Sequence, residues 1–182
     1  MRNLVGTVLS ALFLCAGCAS IPLSTALSLS SLSPRHLAQI DPGQVRVKLS
    51  VPAGYELDIL AARLTLSLSG TSSTRSAAME LVTLQAGPST RPGGLFSSDI
   101  PVTTYTLALS PRGARQLAEL QGFVLASKPE RFTFSVNAPF ATVPERAREV
   151  TFWADLRLQQ AEPYMRLIDG AKMRFEQARA GS

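Results

Sequence analysis

The sequence predicts a mainly β domain, with α+β as the alternative: an antiparallel β-sandwich or curled sheet of about seven to eight strands. Three observations carry this. Apolar residues alternate with polar ones in several separate runs, as in Val45-Arg46-Val47-Lys48-Leu49-Ser50-Val51, and a period of two is that of a half-buried strand. Gly and Pro punctuate the chain at the ends of these runs, where strands must turn. Only one stretch, near 111–125, holds apolar residues three and four apart (Leu117, Leu120, Val124), the spacing of one helical face.

Taken in chain order, Ser33-Pro34 reads as a helix cap followed by proline in the first helical position, opening a short turn through Ile40. Asp41-Pro42-Gly43 ends it. The first strand covers Val45–Val51 and stops at Pro52-Ala53-Gly54. A second begins near Leu57 and carries Leu64, Leu66 and Leu68 on one face, and Met79–Leu84 makes a short third. Residues 86–98, with two prolines and three glycines, are expected to form a long loop, and such loops often carry function. Alternation resumes over Val102–Leu109. Ser110-Pro111 repeats the cap-and-proline pattern before the helix. Phe132, Phe134, Val136 and Ala138 define the next strand, and Val150, Phe152, Ala154, Leu156 and Leu158 another, whose opposite face holds Thr151, Trp153, Asp155 and Arg157. Asp169-Gly170, at the centre of 164–175, is a two-residue hairpin signal, so two final strands are expected there.

The N-terminus belongs to a different class of signal. Met1-Arg2-Asn3 precedes an apolar run from Leu4 to Leu14 and then Cys15-Ala16-Gly17-Cys18. One positive charge, a short apolar core and small residues make up a secretory signal peptide, too short to span a bilayer as a helix. Residues 14–18 resemble the lipobox of bacterial lipoprotein precursors, with Ala16 and Gly17 in the two small positions and Cys18 in that of the modified cysteine. Cys15 departs from the aliphatic residue usual there. The resemblance covers about the first twenty residues. It implies cleavage before Cys18, diacylglycerol on its sulfur and a further acyl chain, such as palmitate, on its amine. Two or more acyl chains hold a protein on a membrane essentially permanently. Ala19, in place of the Asp that retains many such proteins in the inner membrane, implies the outer membrane, facing the periplasm. The rival reading is an ordinary signal peptide cut after Ala19, which would release a soluble protein.

The expected organisation is therefore 1–17 signal peptide, 18–42 lipid anchor and tether, and 43–182 one globular β-rich domain. The segment after Cys18 is too rich in leucine for a purely solvated linker, so part of it is expected to dock, as an edge strand. Without residues 1–17 the chain has 165 residues and a net charge of +4, ample for one core. Cys15 and Cys18 are its two cysteines, so the expected mature domain has no disulfide. Fifteen of the eighteen basic residues are Arg, spread without runs, which argues against a nucleic-acid partner.

No residue set marks a catalytic centre. His36 is the single histidine and cannot supply a metal site by itself. The pairs Glu56/Asp58 and Glu145/Glu149 read as solvated surface. No cofactor is expected. Trp153, on the polar face of its strand, and Arg91, Leu95 and Phe96, in the 86–98 loop, form the expected contact surface, although packing under a covering layer is the leading reading of Trp153 itself. The leading functional expectation is a non-enzymatic, lipid-anchored envelope protein that contacts another protein in an envelope complex. A carrier of lipid or another apolar ligand between the layers is the alternative, and a carboxylate-based cell-wall or glycan hydrolase the third.

Overall fold

A computed structural model describes residues 20–23, 33–70, 74–93, 98–127 and 129–175. The signal-peptide and lipobox residues, Cys18 included, and Leu95 and Phe96 of the expected contact surface lie outside the described residues.

The fold is a single antiparallel sheet that curls around one core. Its strands are β1 (Ser20–Leu23), β2 (Arg46–Pro52), β3 (Glu56–Leu57), β4 (Arg63–Ser69), β5 (Thr74–Arg91), β6 (Ile100–Leu109), β7 (Arg131–Thr142), β8 (Glu149–Arg157) and β9 (Met165–Arg174). Two α-helices, α1 (Pro34–Gln39) and α2 (Pro111–Ser127), complete it, with a 3₁₀ turn at Pro42–Gln44. The strand order is β1-β7-β4-β5-β6-β2-β8-β9, and β3 adds to β7. The mainly β expectation, a curled sheet with one long helix, is thus met.

The curl depends on β5. Its first half, Thr74–Glu80, pairs with β4, and its second half, Leu81–Arg91, pairs with β6. One strand therefore belongs to both halves of the sheet. Leu64, Leu66, Leu68, Phe132, Phe134 and Val136 from one half join Val47, Leu49, Leu107, Phe152 and Leu156 from the other in one buried cluster. These are the alternating apolar positions, which a pleated strand puts on one face. The helices close the open side: Leu37 of α1 and Leu117, Leu120 and Val124 of α2 belong to the same core.

Both helix starts follow the capping logic read from the sequence. Ser33 Oγ accepts from the His36 amide at 3.1 Å and Ser110 Oγ from the Gly113 amide at 3.0 Å, each satisfying a donor the helix leaves unpaired. Gln121, buried on α2, donates from Nε2 to the carbonyls of Leu37 (2.9 Å) and Ile40 (2.7 Å), so the end of α1 is capped by a side chain of α2. The segment expected as a tether is partly folded: β1 pairs with Val136–Pro139 of β7 as an edge strand, and Leu37 and Ile40 are in the core.

Three expectations are corrected. First, 86–98 is not a loop throughout, because β5 continues to Arg91 and β6 begins at Ile100. Pro88 sits within β5, where the strand has left β4 behind; proline is tolerated on such an edge because no strand among the described residues needs its missing N–H. Second, the strand expected from near Leu57 is interrupted: β3 ends at Leu57 and β4 starts at Arg63. Third, Asp169-Gly170 does not turn a hairpin. β9 runs straight through it along β8, with Phe152 opposite Ala171 and Ala154 opposite Ile168. Trp153 alone thus faces Asp169 and Gly170, a β-bulge with glycine at φ +70°. A positive φ suits the bulge as well as the hairpin turn, so the dipeptide alone does not separate them.

Candidate functional site

On the sheet face turned away from the helices, β6, β2, β8 and β9 place polar side chains in two cross-strand rows. Thr104, Ser50 and Trp153 form one, and Thr106, Lys48, Asp155 and Arg166 the other. Each is the outward partner of a core residue in the alternation. Arg91, at the end of β5, reaches over them. Its Nη2 lies 2.7 Å from Asp155 Oδ2 and 3.1 Å from Ser50 Oγ, and its guanidinium lies over the Trp153 ring at 6.0 Å. Ser50 Oγ is also 2.8 Å from Thr104 Oγ1. The Arg91–Asp155 pair is well covered, with side chains 17% and 11% exposed. Such a pair fixes geometry more than it adds net stability, because desolvation offsets much of its attraction.

These residues border a cleft of about 560 Å³ lined by Lys48, Ser89, Thr90, Arg91, Pro92, Thr104, Asp155, Tyr164 and Arg166. Its lining holds three cations and one carboxylate, and that carboxylate is already bound to Arg91. Arg166 divides itself between Asp169 (2.8 Å) and Asp155 (4.0 Å). Lys48 lies 4.2 Å from the centre of the Tyr164 ring and Arg157 4.7 Å from it, cation–π contacts that leave the charges unneutralised. Arg157 Nε is buried and has no hydrogen-bond partner among the described residues.

The structure brings together two of the four residues of the expected contact surface, Arg91 and Trp153. Trp153 is buried, as the packing reading expects. It is covered on the outer face by the bulge: a Cβ at Gly170 would stand 3.3 Å from its Nε1. Lys48, Ser50, Asp155 and Arg166 complete the site and were not singled out as a group. Their signal was the polar half of strands with an apolar other half, and only the register across β2, β8 and β9 turns single positions into a cluster.

The other sequence candidates lie elsewhere. His36 Nε2 is 3.1 Å from Glu162 Oε1 and 3.2 Å from Gln159 Nε2. Glu56 accepts from Thr142 Oγ1 at 3.0 Å and Asp58 from the Ala61 amide at 3.3 Å, while Glu149 pairs with Lys172. Tyr55, Phe140 and Phe175 form an aromatic cluster with ring centres 5.7–6.3 Å apart. Tyr55 Oη donates to the Glu149 carbonyl at 2.9 Å. Burial, with the Glu149 charge second, raises the pKa of its phenol. Inside the sheet, the gap bounded by Leu49, Val51, Leu57, Ala138, Phe152 and Trp153 measures about 10 Å³, at most the room of a single water. An acyl chain has no room there.

Compared with known protein families, curated proteins and solved structures, the chain has no significant match to any of them.

Proposed function

We propose that this chain is a non-enzymatic, lipid-anchored protein of the bacterial envelope that works by binding. Lipid on Cys18 holds it on a membrane, the outer membrane facing the periplasm, and its open sheet face contacts another protein of an envelope complex. The observation that carries the binding reading is the cleft between β5, β2, β8 and β9, where cations, hydroxyls and an aromatic ring converge. Asp155 and Asp169 both meet Arg166, and Asp155 also meets Arg91. Carboxylates matched to guanidiniums in this way hold shape, and hydrolysis by a carboxylate pair needs them free to exchange a proton or attack.

A photoreactive residue at Ser89, on the cleft rim, tests the contact in intact cells; the same residue at Arg75, outside the cleft, is the control. One defined crosslinked partner from position 89, absent from position 75, is the expected result. No crosslink, or the same products from both positions, overturns the contact reading. Metabolic labelling with a fatty acid tests the anchor: label should enter the wild-type chain and be lost in Cys18→Ser, and label that persists in the variant overturns it.

A further inference from the structure

We infer that the cleft recognises an acidic segment of its protein partner, whose carboxylates meet Lys48 and Arg166. This rests on the reading of the open face as a contact surface and names the chemistry of what it contacts. Three features of the site lead there.

The first is charge. The lining has an excess of two positive charges over its one carboxylate, and that carboxylate is already engaged by Arg91. Lys48 meets no carboxylate within ion-pair distance among the described residues; its partner is the Tyr164 ring. Arg157, outside the lining, shares that ring, and its Nε is covered. Asp169, beside the lining, takes up part of that excess through Arg166, and an incoming carboxylate would balance the rest.

The second is precedent within the site. The cleft already binds carboxylates with arginine, Asp155 by Arg91 at 2.7 Å and Asp169 by Arg166 at 2.8 Å. Guanidinium geometry matches a carboxylate's two oxygens, and Arg166, whose side chain is 59% exposed, can meet an incoming side chain in the same way beside the Lys48 ammonium.

The third is backbone access. Ser89, Thr90 and Arg91 line the cleft from the stretch of β5 that, among the described residues, pairs with β6 alone. Their free edge and hydroxyls offer hydrogen bonds to the main chain of a peptide lying along the rim, as when an extended segment meets a sheet edge. A compact anion such as phosphate would use the cations and leave this rim idle.

Trp153 is the single tryptophan of the chain and lies under Arg91, so its fluorescence reports on the cleft. The full chain, in neutral detergent micelles, is titrated with a blocked peptide of four alternating Asp and Glu residues. Parallel titrations use its Asn/Gln analogue and inorganic phosphate. The acidic peptide should give a saturable change that weakens as salt is raised, and the amide analogue none. Lys48→Gln and Arg166→Gln should each weaken it about tenfold while unfolding at the wild-type temperature, and Arg75→Gln should bind as wild type. An analogue that binds as well as the acidic peptide, phosphate that saturates at lower concentration, or no saturable change at all overturns the assignment. Crosslinking from position 89 that still recovers a partner would then leave the contact reading standing, with a different chemistry at the cleft.

Discussion

Arg91 shows how much can rest on one side chain. It joins the tip of β5 to Ser50 of β2 and Asp155 of β8, strands distant in sequence, and it does so largely shielded from water. Removing one partner of such a pair leaves the other charge buried without compensation, which costs several kcal/mol. Arg91→Ala should therefore destabilise the protein by about 2–4 kcal/mol, measured as a fall in the denaturant midpoint. Arg166→Ala, whose side chain is 59% exposed, should change that midpoint by less than about 1 kcal/mol. At this scale the sequence was half legible. Arg91 and Trp153 stand out by residue type and position. Lys48, Ser50 and Asp155 could be placed on a polar face by alternation, but alternation says nothing about which strands lie side by side.

Elements were more legible than the links between them. The strands at 45–51, 102–109, 132–138 and 150–158 and the helix at 111–125 all appear within a few residues of their expected bounds, since each buries one face and so imprints its period on the chain. What the sequence concealed was local continuity. Asp-Gly at 169–170 serves as a bulge, and Gly87-Pro88 lies inside β5, because turn-forming residues are also what bulges and free edges accept. Gly113 is the sharper case. It lies in the first turn of α2, where glycine is ordinarily a weakness of up to about 1 kcal/mol relative to alanine. Here a Cβ would stand 2.6 Å from the Glu80 carbonyl, and that same carbonyl accepts from the Ser110 amide at 2.9 Å. The helix start is seated directly on the β5 backbone. Gly113→Ala should thus lower stability by about 1–3 kcal/mol instead of raising it, read from chemical denaturation. An unchanged or higher midpoint would show that the contact yields easily.

For the molecule as a whole, the two halves of the sheet are held together through the core, the shared strand β5 and the aromatic cluster at one end. Tyr55 in that cluster couples cohesion to pH. Its raised pKa means that the folded protein holds the phenolic proton more tightly than the unfolded chain, in which tyrosine ionises near pH 10. The stabilisation is complete below about pH 10 and is lost as pH rises towards and through the folded pKa. Wild type should lose stability above about pH 10 more steeply than Tyr55→Phe, and parallel slopes in the two proteins would contradict this. The curled sheet was legible at this scale from strand number and from the scarcity of helix. The strand order was not, since antiparallel neighbours joined by long connections leave no mark on local periodicity.

The edge strand β1 has a geometric consequence for the proposed anchor. Ser20 is already paired with Pro139, so a single residue, Ala19, separates the sheet from Cys18. At roughly 3.5 Å per extended residue, two residues of chain span at most about 7 Å, so lipid on Cys18 would hold the first strand close to the membrane surface. A protein moored that closely cannot tumble freely above its membrane. It would stand on its β1–β7 flank, the edge at which β1 joins the sheet. The anchor would then set an attitude as well as an address.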